Sequence, residues 1–98
     1  MKQHLKKIKA NLSVIFMKEA DVFICYCPAL EQTSHGESFG DAYDSFKTTL
    51  SMFVEEVIKM GTLEKVLFDC GWEKIGDSFS PPEIIGQKIE PFEIAVPA

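Results

Sequence analysis

The feature that most constrains this chain is an apolar stripe in its middle. Phe39, Tyr43, Phe46, Leu50, Phe53, Val57 and Met60 recur at alternating steps of four and three, the spacing that lines one face of an α-helix. Ala42, Val54 and Ile58 widen the stripe. A helix of about 22 residues would run about 33 Å, and a face this apolar demands cover, because helices in water owe most of their stability to packing. Ser38 stands where an N-cap belongs, with Asp41 three residues on as a weak capping box. Gly61 suits the left-handed residue that closes such a helix.

The cover must come from what precedes the helix. Residues 12–17 and 22–27 are apolar runs rich in strand-forming types, and Lys18-Glu19-Ala20-Asp21 supplies turn chemistry between them, so a hairpin is expected. Pro28 has no N–H for a ladder and should end the second strand near Leu30, leaving a short third strand around residues 33–35. Residues 1–11 are Lys-rich and aperiodic; Leu5, Ile8 and Leu12 fit the start of a strand or of a short helix.

Beyond Gly61, Thr62 can cap a second helix whose buried face is Leu63, Val66, Leu67 and Cys70; Gly71 stops it and Trp72 locks it down. Gly76, Asp77, Ser78, Ser80 and Pro81-Pro82 read as a loop. Phe92, Ile94 and Val96 then alternate as a final strand, which Pro91 and Pro97 confine to an edge. The expected architecture is α+β. A three-stranded antiparallel sheet is packed by a long helix, with a short second helix and a C-terminal edge strand, in a single domain over 1–98 whose core spans about 8–74, residues 75–98 being loop and strand.

Charge narrows the function classes. All ten basic residues are Lys, against fifteen acids, so the side chain best suited to bidentate contact with guanine or phosphate is missing. Five of those Lys fall within the first eighteen residues, which hold no acid; the remainder is strongly acidic and would repel nucleic acid while attracting a basic protein. Near the amino terminus the longest apolar run, residues 14–17, is far too short for a signal-peptide core or a membrane span. A cytoplasmic chain without membrane contact is expected. Cys25, Cys27 and Cys70 are odd in number, and the first two sit two apart in a strand, so buried thiols are expected rather than a disulfide or a zinc site completed by His35.

Catalytic constellations are thin. The chain lacks a phosphate-cradling Gly-rich loop, a nucleophile elbow and a His-Glu-x-x-His pair. Glu55 and Glu56 are adjacent on a helix and diverge by about 100°; His35 lies in a polar loop without an orienting partner, and His4 in the Lys-rich start should face solvent. No enzyme, metal or cofactor is expected. The strands are more informative: Phe23, Cys25 and Cys27 point one way, Val22, Ile24 and Tyr26 the other, and one helix covers only one face. The other face must meet residues 62–98, a second copy of the chain, or a different protein.

Residues 22–50 carry a recognisable order of motifs. Cys27-Pro28-Ala29-Leu30 closes a strand, Ser34-His35-Gly36-Glu37-Ser38 forms a Ser-x-Gly-acid turn, and Ala42, Lys47 and Leu50 follow at helical spacing. In these features the chain resembles the HicB-like antitoxin family of toxin–antitoxin pairs. Gly61-Thr62-Leu63-Glu64-Lys65-Val66-Leu67 with Gly71-Trp72 looks like the continuation in a short branch of it, so the resemblance covers roughly residues 8–74. Glu31-Gln32-Thr33 replaces the Pro-Gly-Cys that often follows the motif. The resemblance implies a partial ribonuclease-H-like fold without nuclease activity, in which Cys27, Pro28, Ala29, Leu30, Gly36 and Ala42 are structural. It further implies a homodimer or higher homo-oligomer, and a type II antitoxin that occludes a small basic mRNA-cleaving toxin, HicA-like in kind. Many members add a DNA-binding tail; Pro81-Pro82 and a strand-like end stand there instead, so direct DNA binding is not expected. The expected toxin or dimer contacts are Phe23, Tyr26, Glu31, Ser34, His35 and Glu37. Two other readings stay open: a self-associating domain without a toxin, and a small hydrolase using Glu or His on the same sheet.

Overall fold

The computed structural model describes residues 9–98; the expectations placed on Leu5, Ile8 and His4 lie outside them. Five strands and two helices follow in the order β1 Ile15–Glu19, β2 Val22–Cys27, β3 Gln32–Gly36, α1 Phe39–Lys59, α2 Leu63–Asp69, β4 Glu73–Ile75 and β5 Ser78–Ser80. The α+β architecture expected from the sequence is present, with β1-β2-β3 as an antiparallel sheet and α1 across one face of it. Among the described residues no helix is long and apolar enough to cross a membrane.

Local chemistry explains each boundary. The β1–β2 hairpin closes on the pair Glu19 and Val22, leaving Ala20 and Asp21 as the loop, with Ala20 at φ 52°. The first strand begins at Ile15 rather than at residue 12; residues 12–14 are a lead-in whose Leu12 and Val14 pack against the core. Cys27-Pro28-Ala29-Leu30 is a reverse turn, closed by the Leu30 N–H donating to the Cys27 carbonyl at 3.3 Å. Pro28 occupies its second position, where a ring that fixes φ costs nothing. Glu31 at φ 53° then turns the chain into β3.

Ser38 caps α1 as its position predicted, its Oγ accepting from the Asp41 N–H at 3.1 Å. Both helices end in the same way. The Thr62 N–H donates to the Val57 carbonyl at 2.9 Å and the Gly61 N–H to Ile58 at 3.0 Å; Trp72 and Gly71 repeat this on Leu67 and Phe68 at 2.9 and 3.0 Å. These are Schellman closures, and they require the positive φ that Gly61 and Gly71 adopt, 70° and 89°. Thr62 does not cap α2 with its side chain; its hydroxyl donates back to the Val57 carbonyl.

The core comprises Cys25, Cys27, Ala29, Leu30, Ala42, Phe46, Leu67, Trp72 and Phe79. Trp72 fastens α2 to the body as anticipated. Its indole N–H donates to the Ala29 carbonyl at 2.7 Å within the buried interior, so an amphipathic ring is both packed and satisfied. Two expectations for the region after Trp72 are corrected. Residues 73–80 are a hairpin, not a loop: Gly76-Asp77 turns β4 onto β5 and drops Phe79 into the core beside Phe68. The final strand is absent, since residues 81–98 carry no regular structure and Phe92, Ile94 and Val96 are exposed. Alternation alone makes no strand where no neighbouring backbone is in place to take its hydrogen bonds.

Candidate interaction surface

The register of the sheet sorts its side chains onto two faces. Phe16, Cys25 and Ser34 form one cross-strand row, and Phe23 pairs with Lys18 and Gly36 on the same side. This is the face under α1: Cys25 and Cys27 are fully buried, and Ser34 is 7 % exposed. Phe16 stacks on Phe39 with ring centroids 4.2 Å apart and lies 6.0 Å from Tyr43. Lys18 Nζ sits 5.5 Å from the Phe23 ring centroid, so its stem screens a half-buried aromatic.

The opposite face has no cover among the described residues. Ile15, Tyr26 and Thr33 make one row across it, Met17, Ile24 and His35 the next, and Glu19 with Val22 a third. Ile15, Met17 and Val22 are 39, 47 and 42 % exposed, while Ile24 and Tyr26 are half-buried. Five apolar side chains therefore adjoin in a flat patch. Glu19, Asp21 and Glu37 lie at one end and Glu31 at the other, all exposed, and no Lys of the three strands points to this face. The face thus sets exposed apolar side chains between exposed carboxylates.

Of the six contacts expected from the sequence, the fold brings Tyr26 and His35 together on this open face and sets Glu31 and Glu37 at its ends. Phe23 and Ser34 do not join them, because they point beneath α1; Ile15, Met17 and Ile24 take their place. A signal for this was present in the sequence. One side of the strands carries small residues, Cys25, Cys27, Ser34 and Gly36, and a helix approaches closest where side chains are small.

The residues of the Cys-Pro-Ala-Leu and Ser-x-Gly motifs perform visible structural work. Ala29 and Leu30 are buried, and the Ala29 carbonyl receives Trp72. Gly36 lies against the first turn of α1, where Ala42 is wholly buried.

Chemistry elsewhere is sparse. A pocket of ≈ 290 Å³ between α1 and α2 is lined by Leu12, Leu50, Phe53, Ile58, Val66 and other apolar residues, with no titratable side chain to orient or activate a substrate. Glu55 and Glu56 are exposed, and His35 is on the face opposite Cys25 and Cys27, so these three cannot converge on one ion. Among the described residues no group of three or more His, Cys, Asp or Glu is placed to hold a metal.

Burial pushes the Cys25 thiol up from its ordinary value, and neighbouring Cys27 adds to the rise. Cys70 is raised by burial first, then by the charges of Glu31 and Asp69 and by Cys27. A raised thiol holds less thiolate at neutral pH, so alkylation of the native protein is expected to be slow and to accelerate only above the ordinary thiol range. Mass spectrometry after a timed alkylation checks this: half-buried Cys70 should label first, and Cys25 and Cys27 only on unfolding. Rapid labelling of all three in the folded protein at pH 7 would contradict the packing.

Compared with protein-family models, with curated proteins and with solved structures, the chain matches none.

Proposed function

We propose that the chain is a binding module, an antitoxin of the HicB-like kind that sequesters a small, basic, RNA-cleaving toxin and covers the toxin's catalytic histidine. The observation that carries this reading is the open sheet face. Ile15, Met17, Val22, Ile24 and Tyr26 form a contiguous apolar patch with carboxylates at both ends, in a chain of net charge −5. A cytoplasmic setting, where both components are made, belongs to the same proposal. Pro28, Ala29, Leu30, Gly36 and Ala42 of the motif support it as well, since the turn, the core and the close approach of β3 to α1 restrict their shape or size. One further observation favours the self-associating reading: the segment at residues 92–96 alternates apolar and other side chains and is exposed.

The test is co-expression with a basic, domain-sized protein encoded beside this one. The chain should relieve the growth arrest that the protein causes and co-elute with it. Tyr26→Ala, on the central strand of the patch, is expected to weaken the complex about 30-fold or more, the loss typical of a buried aromatic anchor. Lys47→Ala, on the helix side, should change it less than about 3-fold. Growth arrest that persists, with no complex on gel filtration, would overturn the antitoxin reading.

A further inference from the structure

Two unsatisfied features of this fold are complementary, and neither depends on the toxin reading. The first is the edge of β1. It is the apolar edge of the three-stranded sheet, Ile-Phe-Met, with half-exposed apolar groups on both sides: Ile15 and Met17 on the open face, Phe16 with Phe39 and Tyr43 on the helix face. Among the described residues nothing pairs with this edge, and open apolar edges template the pairing of another chain. The opposite edge, β3, is Gln-Thr-Ser-His-Gly and has nothing apolar to offer.

The second feature is the arm. Residues 81–84 run beside residues 9–13, which lead into β1, lining a polar pocket of ≈ 450 Å³ with them. The arm then leaves the body. Ile89, Phe92, Ile94 and Val96 are 95, 82, 72 and 79 % exposed. The molecule measures 69 × 29 × 24 Å with a radius of gyration of 17.3 Å, against about 13 Å for a compact chain of this length. Pro91 and Pro97 bracket a five-residue stretch that can donate a full ladder on one side, which is what an added edge strand needs.

We infer that residues 92–96 of one copy add to the β1 edge of a second copy, antiparallel, making a reciprocal strand-exchanged homodimer. The charges and sizes select the register. With Ile94 opposite Met17, Val96 falls opposite Ile15 and both continue the open apolar face. Glu93 then lies opposite Lys18 and Ala95 opposite Phe16, on the helix side, pairing a carboxylate with an ammonium and a small side chain with a large one. The parallel alternative sets Glu93 against Phe16 and leaves Lys18 facing Ala95. The second copy, not the chain's own sheet, is the acceptor because the arm projects away from its own body. A two-fold axis lets each arm reach the other's β1 and closes the assembly at two. The exchange widens the open face by one strand on each copy.

Sedimentation of the full chain across micromolar concentrations should show a dimer. Phe92→Lys with Ile94→Lys alters only exposed positions and should raise the dimer dissociation constant about 30-fold or more with an unchanged circular dichroism spectrum. To establish exchange between copies, Met17→Cys in one tagged chain and Ile94→Cys in another, both with Cys70→Ser, are mixed and oxidised; a disulfide joining the two tags is expected. A monomer at every concentration, a dimer indifferent to the two Lys substitutions, or the absence of a disulfide joining the two tags would each overturn the inference. The experiment contains no toxin, so its outcome is separate from that of the antitoxin reading.

Discussion

Replacing Gly36 with Ala is expected to cost about 3 kcal/mol, at the upper end of what inserting one methyl into a packed site costs. A Cβ on this residue would lie 2.7 Å from the Asp41 carbonyl carbon and 2.8 Å from Asp41 Cβ, and closest of all to the Ala42 backbone nitrogen. Two of these are backbone atoms in the first turn of α1, held by the Ser38 cap and by the Ala42 N–H bond to the Ser38 carbonyl at 3.0 Å. They cannot swing aside as the tip of a flexible side chain does. The helix must lift from β3, and lifting it opens the contacts of Ala42 and Phe46. Glycine is needed here for space, since Gly36 is not among the residues with positive φ. Gly40→Ala, four residues on, provides the opposite sign. An added Cβ there meets nothing within 4 Å, and the substitution should stabilise α1 by up to about 1 kcal/mol through helix propensity. Paired urea unfolding curves decide the matter: a Gly36→Ala midpoint at or above the parent's would show that the close approach of β3 and α1 is wrong.

The stripe from Phe39 to Val57 and the cap at Ser38 were legible because helical period and capping chemistry are local and strong. The β1–β2 hairpin was legible because two apolar runs flank a polar turn. Phe79 was not: β4 and β5 are three residues each, too short to show a period, and only the Gly76-Asp77 dipeptide marked the turn. The strand expected at residues 92–96 failed for the converse reason, since its alternation is present while no backbone among the described residues takes its hydrogen bonds. The candidate site was half legible. Alternation separated the two strand faces, but assigning α1 to one of them required weighing sizes on β2 and β3 together. Phe23 and Ser34, two of the expected contacts, lie on the side that α1 covers.

Phe46→Ala is expected to cost about 3 to 5 kcal/mol. Phe46 is 2 % exposed and is the largest side chain that α1 lowers into the core, in a cluster shared with Cys25, Cys27, Ala42 and Leu67. Its neighbours on the sheet are small, so they cannot expand to refill the space, and the cavity left behind adds to the lost transfer free energy. A domain of this length holds about 5 to 15 kcal/mol in total. The variant should therefore unfold at least about 12 °C below the parent, at roughly 4 °C or more per kcal/mol. Met52→Ala on the same helix, 65 % exposed, should stay within about 0.5 kcal/mol. If the two variants melt together with the parent, α1 does not pack through Phe46, and the open face at Ile15, Met17, Ile24 and Tyr26 loses its assignment with it, because the identity of the covered face defines the uncovered one.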